Sequence, residues 1–147
     1  MRILVVCLGN ICRSPMGQGV LQSAADAAGL KWELDSAGTY GGHSGEAPDV
    51  RARQVMREHG MNIDDLRARQ VVVEDFERFD LILAMDDNNY RDLVALQGAK
   101  WDKVRMFLPD GTSVPDPYYG DRTDFENVLY LLRGSVDHWT NQSFSSF

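Results

Sequence analysis

An unbroken apolar run, Ile3-Leu4-Val5-Val6, leads into Cys7-Leu8-Gly9-Asn10-Ile11-Cys12-Arg13-Ser14, and Pro15 follows at once. The run reads as a strand buried on both faces, the kind found inside parallel sheets. Proline is favoured at the first position of a helix. The chain therefore passes from strand to helix through a short curled loop. Amide N–H groups of such a loop and of the helix N-terminus converge on one point and form a site for an anion. Gly9 and Asn10 stand mid-loop, where a curled backbone calls for positive φ angles that glycine and asparagine adopt most readily.

Cysteine, five residues, then arginine is a spacing that recurs by chance, and a cysteine on a strand is usually a small buried hydrophobe. The setting adds chemistry to the spacing. Cys7 falls at the floor of the cradle, Arg13 can grip two oxygens of an anion in a fork, and Ser14 can donate a hydrogen bond to sulfur. A cation and a helix N-terminus beside a thiol favour the nucleophilic thiolate. A nucleophile and an oxyanion pocket within eight residues point to phosphoryl transfer through a phosphocysteine. A nucleotide-binding loop is excluded, because no Gly-Lys-Ser/Thr sequence follows the first strand.

The 147 residues suit a single domain over residues 1–147 with one ordinary core. A formal net charge of -7 argues against nonspecific binding to nucleic acid or to anionic membranes. An anionic substrate must then be drawn by a local positive site. No apolar stretch approaches a membrane span, and the opening residues carry no signal-peptide pattern. Cys7 and Cys12 form no disulfide framework, and a nucleophilic thiol suits a reducing cytoplasm. His43, His59 and His138 are scattered at no metal-binding spacing, so neither metal nor cofactor is expected.

Strand-like runs alternate with helical patterns along the chain. Residues 15–29 place Met16, Val20, Leu21, Ala24 and Ala28 on one helix face, ending at Gly29. Lys31–Ser36 alternates as a strand, and 37–47 is a Gly- and Ser-rich loop. Pro48 opens a helix running to His59-Gly60. Asp80–Met85 is a second apolar strand, followed by a helix around Asn88–Gln97 and a strand over Val104–Leu108. A long loop spans 109–122. The last helix covers Asp124–Thr140, with Phe125, Val128, Leu129, Leu132, Val136 and Trp139 inward, and the polar tail 141–147 is expected to fray. This order predicts an α/β fold with a parallel sheet covered on both faces. In such sheets ligands bind beyond the carboxyl ends of strands, which is where the Cys7 loop lies. In the long loop, Asp116 stands between Pro115 and Pro117, which hold it towards an extended backbone. It is either a turn aspartate or an acid able to reach over the cradle.

The loop with its continuation Ser14-Pro15-Met16-Gly17 resembles the signature of the low-molecular-weight protein tyrosine phosphatases. Asp35-Ser36-Ala37-Gly38-Thr39, Ala68-Arg69-Gln70, Leu83-Ala84-Met85-Asp86 and Asp116-Pro117-Tyr118-Tyr119-Gly120 resemble that family's other blocks, in the family's order. The resemblance implies a single domain with a four-stranded parallel sheet and flanking helices, acting on tyrosine-phosphorylated proteins, as a monomer. It implies that Cys7, Arg13 and Asp116 are catalytic and that Leu8, Gly9, Asn10, Ile11, Cys12, Arg13 and Ser14 bind phosphate. Asn10, Ser14, Ser36 and Asp86 are the implied supporting residues, although an aspartate after a strand is also a ready helix N-cap. Ile11, Tyr118 and Tyr119 are the implied substrate cleft, with His43 on the opposite rim. Apart from the resemblance, Cys7 and Cys12 lie in one tightly curled loop and are the expected redox pair, a low-pKa thiolate beside a second thiol being able to close a disulfide before further oxidation.

Two positions depart from the family's pattern. Leu66 stands where many relatives carry a histidine, which leaves the partner of Asn10 open, and Gln18 stands where a glutamate is frequent. Arsenate reductase chemistry of the thioredoxin-coupled type needs more redox cysteines than Cys7 and Cys12. A protein-arginine phosphatase typically carries threonine at the position of Ile11. A noncatalytic phosphotyrosine-binding module would need neither Cys7 nor Asp116.

Overall fold

The computed structural model describes residues 1–141. β1 (Arg2–Cys7) is buried from Ile3 onwards, as an apolar run with neighbours on both sides must be. It pairs in parallel with β2 (Glu33–Gly38) on one side and with β3 (Leu81–Ala84) on the other, and β4 (Val104–Met106) lies beyond β3. The order is β2-β1-β3-β4. Successive connections from β1 and β2 thus run to opposite sides of β1, and the crevice beyond its carboxyl end is the switch point where such sheets bind ligands.

Side chains alternate across the sheet and build two cores. Ile3, Val5, Leu81 and Leu83 pack on one face with α1 (Arg13–Ala27), α2 (Val50–Glu58), α5 (Arg122–Arg133) and α6 (Val136–Thr140). Leu4, Val6, Ile82 and Ala84 pack on the other with Phe76 of α3 (Asp75–Arg78) and Leu93 of α4 (Asp87–Val94). Both faces are therefore covered, and the four-stranded parallel architecture is the one expected.

Several boundaries differ from the sequence pattern, each for a local reason. The second strand lies two residues later than Lys31–Ser36, because the register sets Cys7 beside Gly38. In α1 it is Ala25 that is buried, while Ala28 is the exposed C-cap. α2 begins at Val50, with Asp49 accepting the Arg51 N–H as its N-cap. α4 ends at Val94, ahead of Gly98 at φ 85°. β4 stops at Met106, short of the expected Leu108. The long final helix is two: Gly134 and Ser135 have ψ of -16° and -10°, shallower than the α value of about -42°. The apolar spacing continues across this break, so it left no mark on the pattern. The short α3 and a single 3-10 turn at Trp101–Lys103 were not anticipated. Of the tail, 142–147 lies outside the described residues. Among the described residues no helix is long and apolar enough to cross a membrane.

Candidate active site

The loop between β1 and α1 is shaped by one residue in an unusual conformation. Asn10 has φ 58°, the one positive φ of a non-glycine residue among those described. Gly9, expected to share that conformation, does not; its need is space, since a Cβ there would lie 3.0 Å from His43 Cδ2. Gly38 of β2 is required for the same kind of reason, because its Cβ would meet the Leu8 carbonyl oxygen at 2.6 Å.

The Asn10 side chain is buried and every polar atom of it is engaged. Nδ2 donates to Ser14 Oγ at 2.8 Å and to Ser36 Oγ at 3.0 Å, and Oδ1 accepts the Arg69 N–H at 3.0 Å. This answers the question left by Leu66: the backbone of Arg69 partners Asn10, and Leu66 packs against the apolar core instead. Arg69 is anchored by both oxygens of Asp75 at 3.0 Å and by Asp35 Oδ2 at 3.1 Å. Burial works against the charge on Arg69, but the hydrogen bond to Asp75 and the two carboxylates outweigh it and push its pKa up.

Cys7 Sγ receives the Asn10 N–H at 3.3 Å and lies 3.0 Å from Ser14 Oγ. With Asn10 donating to Ser14, the Ser14 hydroxyl proton is free for sulfur, a nearer acceptor than the Ala37 carbonyl at 3.5 Å. No side chain among the described residues caps α1, so no capping group stands between an anion and the first amides of the helix. Cys12 is different. Burial, then the nearby charges of Asp49, Cys7 and Asp116, push its thiol well up and hold it neutral.

Arg13 is 3% exposed. Burial opposes its charge, yet Cys7 and Asp86 overcome this and raise its pKa. Its Nη1 donates to Asp86 Oδ2 at 2.7 Å and to the Val114 carbonyl at 3.0 Å. Nη2 lies 3.8 Å from Asp116 Oδ2. The two alternatives for Asp86 both hold: Oδ1 caps α4 by accepting the Asn89 N–H at 2.7 Å, and Oδ2 orients Arg13. Asp116 is 44% exposed and its Oδ1 accepts the Tyr118 N–H at 3.1 Å.

Cys7, Arg13 and Asp116 line one cavity of about 240 Å³, walled by Leu8, Ile11, Tyr40, His43, Tyr118 and Tyr119. His43 Nδ1 pairs with Glu46 Oε2 at 2.7 Å, and its ring meets Tyr40 edge-on. A larger depression of about 850 Å³ along Leu108, Leu129 and Tyr130 holds no cysteine and lies away from the β1 loop. Volume alone does not locate chemistry. Among the described residues no group of three or more His, Cys, Asp or Glu is placed to hold a metal ion.

A family model described as low molecular weight phosphotyrosine protein phosphatase matches residues 2–145. The chain belongs to that family. It is 40% identical over 145 residues to the low molecular weight protein-tyrosine-phosphatase of Streptomyces coelicolor, covering 91% of this chain and 88% of the relative. It is also 40% identical over 135 residues to the human low molecular weight phosphotyrosine protein phosphatase, covering 86% of this chain and 85% of the other. A protein tyrosine phosphatase from Entamoeba histolytica, crystallised with Hepes in the active site, has the same fold. It superposes with a TM-score of 0.89 at 36% identity, over 95% of this chain and 94% of that one. As a low molecular weight phosphatase, the protein is a cysteine-dependent hydrolase, and Cys7 stands at the carboxyl end of the first strand.

The fold gathers Cys7, Ile11, Arg13, His43, Asp116, Tyr118 and Tyr119 around one cavity, with Asn10, Ser14, Ser36 and Asp86 bonded to its loop or to Arg13. Tyr40, Val114, Arg69 and Asp75 were not singled out for the site. Val114 contributes a carbonyl and Arg69 an amide to it, and such groups carry no side-chain signal. Tyr40, an aromatic exposed in a Gly-rich loop, could have been found. Asn10→Ala should cost about 1–3 kcal/mol through the Arg69 N–H left unpaired, with a further penalty for alanine at positive φ. Urea unfolding and inhibition by inorganic phosphate measure this. Unchanged stability and unchanged phosphate affinity would contradict the role given to Asn10.

Proposed function

We propose that this site hydrolyses phosphotyrosine on protein substrates through a phosphocysteine on Cys7, with Asp116 acting first as acid and then as base. One observation carries the reading: the Cys7 sulfur, the Arg13 guanidinium and the Asp116 carboxylate line a single cavity, with Arg13 Nη2 3.8 Å from Asp116 Oδ2. In the first step the thiolate attacks phosphorus, the S–P bond forms and the P–O bond to tyrosine breaks. Arg13 and the loop amides hold the remaining oxygens. A tyrosine oxygen has a pKa of about 10 and leaves poorly as a bare phenolate, so Asp116 supplies the proton. In the second step Asp116 takes a proton from water, whose oxygen attacks phosphorus. The S–P bond breaks, and the Ser14 hydroxyl donates to the departing thiolate. Cys12, held as a neutral thiol, does not compete as a nucleophile.

The cavity walls favour an aromatic alcohol as the leaving group. Tyr118, Tyr40 and His43 supply ring faces and edges, and Ile11 supplies an apolar contact. Aromatic rings are accommodated well in such surroundings. A phosphoarginine would bring N–H donors against Ile11, and leaving them unpaired costs about 1–3 kcal/mol.

Two measurements test this reading. Asp116→Ala should lower kcat/KM for phenyl phosphate by about 10²–10⁴-fold and far less for dinitrophenyl phosphate, whose phenolate departs without a proton. Equal losses would mean that Asp116 is not the acid. The unmodified protein should also prefer phosphotyrosine over matched phosphoarginine peptides by roughly one to two powers of ten in kcat/KM. Ile11→Thr should narrow that gap. A preference for phosphoarginine in the unmodified protein would overturn the substrate assignment.

A further inference from the structure

Asp49 and Arg51, at the start of α2, form a contact set that the two-step chemistry leaves unused. One end of it is fixed to the cradle, since the Asp49 N–H donates to the Ile11 carbonyl at 2.7 Å. The Asp49 carboxylate then receives the Arg51 side chain as a fork, Nε to Oδ1 at 3.0 Å and Nη2 to Oδ2 at 2.9 Å. The pairing is mutual. The Arg51 hydrogen bond, ahead of every other influence, holds the Asp49 carboxyl below the usual carboxylate range, and the same bond raises Arg51.

The other end of the set reaches the loop that carries Asp116. Arg51 Nη2 donates to the Tyr118 carbonyl at 2.9 Å and Nη1 to the Gly120 carbonyl at 2.9 Å. The guanidinium lies over the Phe125 ring, 4.5 Å from its centroid. An exposed ion pair by itself contributes little to stability. This one is a planar fork with two further donors on two backbone carbonyls, so it fixes the path of a loop. The Tyr118 peptide completes the connection: its carbonyl is held by Arg51, and its N–H holds Asp116 Oδ1 at 3.1 Å. Asp116 is half exposed, and its nearest cation, Arg13, stands 3.8 Å away without a hydrogen bond. A carboxylate so weakly tied needs its backbone placed from outside, because a displacement of about 1 Å from the productive geometry can cost 10²-fold in rate.

We propose that Arg51 is a positioning residue for the general acid, fixing the Asp116 loop relative to the cradle through Asp49 and the Ile11 carbonyl. It touches neither substrate nor sulfur and acts through the Tyr118 peptide. The proposal rests on Asp116 being the acid. Replacing Arg51 therefore impairs proton delivery while leaving the anion site intact. Lysine at this position keeps the charge but cannot span the carboxylate and both carbonyls from one ammonium.

The test compares Arg51→Gln, Arg51→Lys, Asp116→Asn and the Arg51→Gln/Asp116→Asn double variant. The readouts are kcat/KM for phenyl and dinitrophenyl phosphate, the inhibition constant of inorganic phosphate, and the thermal midpoint. Arg51→Gln should lose about tenfold more with phenyl than with dinitrophenyl phosphate, with phosphate inhibition little changed. Arg51→Lys should show a smaller loss of the same selective kind. In the Asp116→Asn background, Arg51→Gln should add no further selective loss, since the group it positions is already gone. Equal losses on both substrates, while Asp116→Asn still discriminates between them, would make Arg51 purely structural and overturn the proposal alone. If Asp116→Asn itself fails to discriminate, the acid assignment falls and takes the proposal with it. Should Arg51→Gln fail to fold, Arg51→Lys and Asp49→Asn carry the same comparison, and an unselective loss in both would overturn it.

Discussion

Asn10 holds a buried left-handed turn in place, and the geometry of the site depends on it. A residue with a side chain adopts φ 58° at a cost, and here that cost is offset by one amide group that donates to Ser14 and Ser36 and accepts the Arg69 N–H. The turn brings the Asn10 N–H onto the Cys7 sulfur and closes the loop over the end of β1. Ser14, fixed by the same amide, then meets the sulfur from the helix side. Removing the side chain would free the loop from β2 and from the Arg69 backbone at once.

Charge is distributed to suit an anion within a protein of net charge -7. Arg13 is buried beneath the loop, and its charge is sustained by Asp86 and by the sulfur rather than by water. Asp86 occupies Nη1 with one oxygen while its other caps α4. The orientation of the arginine is thereby tied to the start of a helix, which is a rigid reference. On the opposite side, Asp49 and Arg51 link the cradle to the Asp116 loop. The Cys7 loop and the Asp116 loop are far apart in sequence, and the Arg51 side chain at the start of α2 joins them.

The parts legible in the sequence were those whose chemistry is contiguous. β1, the loop and the start of α1 form one uninterrupted statement, and an apolar run followed by a Gly-Asn loop and Ser-Pro leaves few alternatives. The sheet could be read because β1 and β3 are apolar on both faces. The parts that could not be read depend on backbone groups or on pairs distant in sequence. Arg69 supports Asn10 with its N–H, Val114 supports Arg13 with its carbonyl, and Arg51 grips two carbonyls. No side-chain pattern announces such contacts. The break at Gly134-Ser135 was hidden for a related reason: the apolar face continues across it while only the backbone dihedrals change.

The proposed hydrolysis turns on a covalent phosphoryl group at Cys7. Rapid acid quench of the Asp116→Ala protein mixed with dinitrophenyl phosphate, followed by peptide mass spectrometry, tests this directly, because this leaving group departs without a proton while loss of the base slows hydrolysis of the intermediate. A phosphoryl group on the peptide containing Cys7, carried on that residue and not on Cys12, with a burst of dinitrophenol matching the enzyme present, is the predicted result. Turnover with no covalent intermediate, or a phosphoryl group carried on Cys12, would contradict it.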